Sequence, residues 1–260
     1  MPAVSATAER LESLRAEVRR IEGSGVAGES PVMPLGVAEV DSRIAGGGLA
    51  ARALHEVTAK SPDVADDGSA TLFLAGLAGR KSRLDGDGQV LWALTRRDLF
   101  APGLAGAGLG PERLIHAECR NDEEVLAVME EALRHGSLAA VIGEVGRCAM
   151  ASARRLQLAA EEGGPLALML RRWRKTAHDP IAEPSPAVTR WRIGCAPSAP
   201  LAESLPTGGI GRLCLAAELA RQRGGEPATW ILEAPDAEAR LALSSLSSNR
   251  PDQAEERRAA

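Results

Sequence analysis

The chain has 260 residues, of which 45% are apolar and 2% aromatic with no tyrosine, and its formal net charge is −4. That length suits one large domain, or one domain with appendages, whose core is built of Ala, Leu and Val. The acidic balance excludes a protein that coats nucleic acid through bulk charge and leaves only a local basic patch for such contact. The four cysteines, Cys119, Cys148, Cys195 and Cys214, form no CxxC pair and the four histidines are scattered, so no metal site and no disulfide framework are expected. No run approaches the ~20 apolar residues that span a bilayer. The N-terminus is charged and amphipathic, without a signal-peptide core. A soluble, cytoplasmic protein with no membrane partner and no cofactor is the expectation.

In chain order, residues 1–24 come first and carry an amphipathic helix over 4–22. Val4, Leu11 and Val18 are seven apart, as are Leu14 and Ile21, which interleaves them as heptad a and d positions. Gly23, Gly25 and Gly28 end that helix and open a linker over 25–33. A stripe separated from the rest by such a linker must be buried, either on its own domain or on a partner. Leu11, Leu14, Val18 and Ile21 are the candidate partner-binding residues.

The core domain is expected over 34–246. A turn-rich run through Gly46, Gly47 and Gly48 leads to a strand at Ala53–Val57, and a helix-like run follows at Ser69–Leu77. Strand, loop and helix is the layout of a phosphate loop. The connecting loop has Lys60-Ser61 but lacks the GxxxxGK[ST] spacing, continues with Pro62, and carries Asp63, Asp66 and Asp67. Those carboxylates would repel a triphosphate. Strands are then expected at Val90–Thr95, Leu114–Ala117, Leu138–Ile142 and Leu166–Leu170, with a Gly-rich connection at 102–110. Between them lie a helix that starts on the cap Asn121, shows Val125, Leu126, Met129 and Leu133 on one face and closes at Gly136, and a second helix over 149–162. The alternation specifies βαβ units and a mostly parallel sheet. Residues 177–186 are Pro-rich and expected to be mobile. Val188–Cys195 alternates as a strand, Arg212–Arg223 reads as either strand or helix, and Thr229–Leu232 and Arg240–Leu246 read as strands. Gly224-Gly225 as a hairpin turn favours antiparallel strands finishing the sheet. The tail, 247–260, is polar and expected to fray.

The arrangement resembles the RecA-like fold, and more closely the ImuA family of bacterial inducible-mutagenesis proteins. Three places carry it: Pro34–Val57, with Asp41, Gly46, Gly47, Leu49 and the Leu54-His55-Glu56-Val57 wording; His135–Val145; and Leu166–Ile193. The fold implied is α/β, a RecA-like mostly parallel sheet flanked by helices, with antiparallel strands at the C-terminal part. RecA-type hydrolysis needs a Gly-rich phosphate cradle with Lys and Ser/Thr, a carboxylate that orients water, and an Asp behind Mg²⁺. In this chain the cradle is reduced to Lys60 and Ser61, the water-orienting position falls at Thr95-Arg96, and the metal-associated position falls at Gly143 with Glu144 beside it. The loss of all three together argues that turnover is gone. Glu144 reads as a solvated carboxylate at a strand end.

Arg171-Arg172-Trp173-Arg174-Lys175 is the sharpest charge signal, and Arg190, Trp191 and Arg192 extend it. Cations beside an indole suit single-stranded DNA. The same run also reads as a protein-binding surface or as a solvated edge. No Ser/His/Asp set stands at interpretable spacing, and His55 and Glu56 point to opposite faces of one strand, so no enzyme site is expected. The resemblance implies a non-catalytic adaptor in SOS-induced translesion synthesis. Its partners would be an ImuB-type polymerase homologue, an error-prone DnaE-type polymerase, RecA and single-stranded DNA. The alternatives are an active RecA-like ATPase with an atypical nucleotide site and a SulA-like inhibitor of cell division.

Overall fold

The structure, a computed structural model, describes residues 31–173, 178–198 and 211–245. A short strand β1 (Val32–Met33), helix α1 (Ala38–Asp41) and strand β2 (Leu49–Ala50) lead into β3 (Leu54–Ala59) and the long helix α2 (Val64–Leu84). Then follow β4 (Val90–Leu94), α3 (Ala101–Gly106), β5 (Leu114–Glu118), α4 (Asp122–His135), β6 (Ala140–Val145), α5 (Met150–Gly163) and β7 (Leu166–Arg171). The chain finishes with β8 (Thr189–Ala196), β9 (Cys214–Gln222), β10 (Ala228–Glu233) and β11 (Ala242–Leu243).

Nine strands form one sheet in the order β11-β10-β9-β8-β3-β7-β6-β4-β5. From β8 to β5 every pair is parallel, and β8–β9, β9–β10 and β10–β11 are antiparallel. The α/β class, the parallel centre and the antiparallel C-terminal end are as expected from the sequence. The central strands β3, β6 and β7 are buried at every position, because helices cover both faces. On one face Val57, Ile142, Leu168 and Trp191 pack with Phe73, Leu74 and Leu77 of α2. On the other, Leu54, Val141 and Met169 pack with Val125, Met129 and Leu133 of α4 and with Leu156 of α5.

Local chemistry sets the helix ends. Asn121 accepts from Glu124 N over 2.9 Å at the start of α4, and Gly136 closes that helix at φ 74°. α2 is far longer than the run read from the sequence. Its internal Gly76 and Gly79 lower helix propensity, yet they admit neighbours no side chain would: a Cβ would stand 2.2 Å from Pro235 and 2.5 Å from Gly108 O. The Gly-rich connection contains α3. The ambiguous segment 212–223 is a strand, β9, and it is joined to β10 through the turn at Gly224-Gly225. Val32–Met33, read as linker, pairs with Leu49–Ala50. The Pro-rich segment is packed over residues 178–186: Pro180 is buried and opens a 3-10 helix, Pro180–Ala182. Among the described residues of the last expected strand, Ala242–Leu243 pairs with β10, and Ser244 N donates to Ile231 O over 2.9 Å. Residues 1–24, with Leu11, Leu14, Val18 and Ile21, and the tail 247–260 lie outside the described residues.

Candidate functional site

The candidate nucleotide position lies where β3 ends and α2 begins. In a phosphate-binding protein the free N–H groups of a helix's first turn point at the anion. Here a carboxylate of the chain takes one of those N–H groups, and two more carboxylates lie in the same turn. Asp63 caps α2, its Oδ1 accepting from Ala65 N over 2.8 Å. Asp66 accepts from Ser61 Oγ over 2.6 Å and from Cys195 N over 2.7 Å, which ties the loop to β8. Asp67 pairs with Arg172. Lys60 is exposed and donates its main-chain N–H to Ile193 O over 2.8 Å. The arrangement sets three carboxylates, one of them paired with Arg172, at the spot where a triphosphate would need donors.

Arg172 carries the network inward. Its Nη2 and Nε donate to Glu144 Oε2 over 2.8 and 3.0 Å, and Trp92 Nε1 donates to Glu144 Oε1 over 2.7 Å. Glu144 is 3% exposed, so it is not the solvated carboxylate its strand-end place suggested. Burial pushes its carboxyl above the usual range against the pull of Arg172 and the Trp92 indole. Arg172 is itself opposed by burial, yet Glu144 and Asp67 hold its guanidinium above its ordinary value. Gly143 sits on the opposite side of the sheet, where a Cβ would meet Met129 Sδ at 2.0 Å. Helix α4 therefore fills the position the resemblance assigned to a metal-associated Asp, and Glu144 is the residue turned toward α2. Arg96, where with Thr95 the resemblance places a water-orienting carboxylate, is exposed and pairs with Asp98 over 2.7 Å.

The basic run is split between the two faces. Arg171 and Arg190, 2% and 4% exposed, enclose Glu56 on the α4 side. Arg190 Nε donates to Glu56 Oε2 over 2.8 Å, Ser185 Oγ donates to Glu56 Oε1 over 2.5 Å, and Arg171 pairs with Glu183. Trp173 donates its indole N–H to Ala59 O over 2.8 Å and packs on the core. Arg192 reaches Asp179 and, over 3.4 Å, Glu218. Arg174 and Lys175 lie outside the described residues. Three of the cations read as a surface patch are thus interior and already balanced by carboxylates. Asp67, Trp92, Glu183 and Ser185 were not singled out as their partners. The signal in the sequence was a charge on or just past a strand of the sheet interior, where a buried charge must find a counter-charge.

His55 is also interior. Its Nε2 stands 2.9 Å from Ala50 O and its Nδ1 2.7 Å from Thr189 Oγ1, which in turn accepts from Trp191 Nε1 over 2.9 Å. Ala50 O can only accept, so Nε2 carries the proton and Nδ1 accepts from the Thr189 hydroxyl. Burial lowers the His55 pKa to about 4. A groove of about 450 Å³ lies between Arg147–Met150 and Glu183–Pro184. Burial pushes the thiol of its Cys148 up to about 11.

No family model matches the chain. SulA from Pseudomonas aeruginosa, a solved structure, aligns with 46% of this chain and 97% of its own at 25% identity, with a TM-score of 0.38. Protein ImuA of Caulobacter vibrioides, strain NA1000 / CB15N, is 35% identical over 222 residues, covering 82% of this chain and 88% of its own. Protein ImuA of strain ATCC 19089 / CIP 103742 / CB 15 matches over the same extent. At that identity over most of both lengths, the chain belongs to the ImuA family.

Proposed function

We propose that the chain is a non-catalytic, RecA-like adaptor in SOS-induced mutagenesis. It acts in the cytoplasm with an ImuB-type polymerase homologue, an error-prone DnaE-type polymerase and RecA. The observation that carries the reading is the start of α2, where Asp63 takes the Ala65 N–H and Asp66 and Asp67 add two further carboxylates at the place a nucleotide's phosphates would occupy. With Gly143 packed on α4 and Arg96 at the water-orienting position, such a site has neither an anion cradle nor a base. Binding through surfaces is what remains. The helix bearing Leu11, Leu14, Val18 and Ile21 is the docking element in this reading, because its apolar stripe follows a heptad pattern and a Gly-rich linker leads from it to the core. Single-stranded DNA contact is the lesser part, since Arg171, Arg172 and Arg190 are engaged inside.

Two measurements test it. Titration calorimetry with ATP and Mg²⁺ should show no binding, and heat of binding at micromolar nucleotide would restore the ATPase reading. Co-purification with the two polymerase partners should be lost when residues 1–24 are deleted. Unchanged capture by the shortened chain would remove the helix from the reading.

A further inference from the structure

Four arginines lie together at the end of the sheet where β3 begins, away from the start of α2. Among the described residues Arg43, Arg52, Arg221 and Arg223 make no ion pair, whereas the surface residues Arg96, Arg97, Arg120, Arg134 and Arg240 each pair with an acid. The main chain brings the four side by side. Arg223 N donates to Val188 O over 2.8 Å, and Val188 N donates to Leu54 O over 2.9 Å. The chain segments of Arg223 and Arg52 therefore flank that of Val188, roughly 10 Å apart. Arg221 stands opposite Arg190, while Leu219 stands opposite Trp191, so Ala220 is an extra residue in β9. That bulge turns Arg221 onto the face of Arg190 and Gln222 onto the other face. Gln222 donates from Nε2 to Arg43 O and accepts from Ala45 N, each over 2.9 Å, which fixes Arg43 beside the end of β9. Two arginines opposite one another repel. Glu56 balances Arg190, and Arg221, which is exposed, has no such partner.

We propose that Arg43, Arg52, Arg221 and Arg223 bind the phosphate backbone of a nucleic acid without reading its bases. This surface deepens the DNA-contacting part of the proposed adaptor role, on which it rests, and it stands in for arginines that are engaged inside. A guanidinium can give two N–H groups to one phosphate. Each phosphate so neutralised releases counter-ions, and that release drives binding. Arg43, Arg52 and Arg221 are exposed and Arg223 is half-buried, so all four can reach a strand laid across this end. The surface among them is made of small residues, Ser42, Gly46, Gly47, Gly224 and Gly225. No aromatic ring is exposed there to stack on a base, which leaves the backbone as the part that is held. An acidic protein would meet the same charges, but a protein interface is built around a buried apolar centre. Val32, beside Gly46, is the exposed large apolar side chain at this place, and one valine is not such a centre.

Fluorescence anisotropy of labelled single-stranded and duplex oligonucleotides, with the full chain over a salt series, reads the contact. Binding of either form supports it, with log affinity falling against log salt at a slope of about −3. Arg52→Gln and Arg221→Gln should each lower affinity about fivefold at ~0.1 M salt and make the slope shallower by about 0.7. All four arginines changed to Gln should abolish binding. If that variant fails to fold by circular dichroism, the two single changes decide, since neither side chain makes a hydrogen bond among the described residues. No binding at low salt overturns the proposal. So do an affinity and slope unmoved by Arg52→Gln and Arg221→Gln, which would put the contact on other cations. Polyglutamate bound as tightly as the oligonucleotides would make this end an acceptor of acidic protein and overturn it too. Capture of the polymerase partners is read separately, so the adaptor role can hold where this surface fails.

Discussion

Arg172 Nη2 donates to Glu144 Oε2 over 2.8 Å in the interior, while the other arm of the same guanidinium pairs with Asp67 in the first turn of α2. One cation thus joins the end of β7 to the end of β6 and to the first turn of α2. Removing it leaves Glu144 buried without a counter-charge. Arg172→Ala should lower unfolding free energy by about 3–5 kcal/mol. Replacing both partners by apolar residues of similar volume, Arg172→Met with Glu144→Leu, should cost much less than the single change. Urea denaturation of the two variants checks this, and equal losses would mean that the pair is stabilising in itself.

His55 predicts a pH dependence of definite sign. Its pKa is lowered from 6.5 to about 4 by burial, so in that interval the unfolded chain binds more protons than the folded one. The stability involved is fully present above 6.5 and is lost as pH falls toward 4. A shift of that size corresponds to about 3 kcal/mol. Glu144 works the other way: its raised carboxyl makes the fold less stable as pH rises past the ordinary carboxylate range. Chemical denaturation at pH 7 and pH 4.5 should show the acid loss in the native chain and a flatter profile in His55→Asn. The same comparison in Glu144→Gln should steepen the acid loss.

The cluster on the opposite face separates structure from nucleic-acid contact. Arg190 Nε lies 2.8 Å from Glu56 Oε2, and both side chains are buried. Arg190→Met should lose about 3–5 kcal/mol, because the buried Glu56 is left without its nearest cation. A buried guanidinium releases no counter-ions from DNA. The affinity of the folded variant for a single-stranded oligonucleotide, read by fluorescence anisotropy across salt, should equal that of the native chain.

Local signals in the sequence were enough for some elements and silent on others. Helix α4 was legible end to end, since Asn121, the acids after it, the apolar face at Val125, Leu126, Met129 and Leu133, and Gly136 all act within one helix. Strand β7 and the run Leu138–Ile142 that leads into β6 showed as unbroken apolar stretches because both of their faces are covered, whereas β3, LHEVTA, carries His55, Glu56 and Thr58 inside. Strand β9 did not, because CLAAELARQ is made largely of good helix formers and only its pairing along β8 makes it extended. The Asp67–Arg172 pair spans 105 residues, and no periodicity reports a contact of that range. Proline content suggested a mobile 177–186, yet Glu183 and Ser185 in that segment are the partners that the buried charges of β3 and β7 require.

Two glycines on the α4 side should respond differently to the same added methyl. At Gly143 a Cβ would stand 2.0 Å from Met129 Sδ and 2.7 Å from its Cγ, which are atoms of a side chain that can be trimmed. At Gly163 it would stand 1.7 Å from Leu133 O, where α5 ends against the last turn of α4, and a carbonyl held in a helix cannot be trimmed away. Gly143→Ala should cost about 1–3 kcal/mol through overpacking. In a Met129→Ala background the same change should cost less by ~1 kcal/mol or more, as expected for residues in contact. Gly163→Ala should cost at least as much as Gly143→Ala, and its cost should be the same in a Leu133→Ala background, because the clash is with main chain. Thermal unfolding of the two double-mutant cycles separates the cases. Equal relief in both would mean that α5 slides along α4 to make room, and that the helix pair is less firmly seated on the sheet than Gly163 indicates.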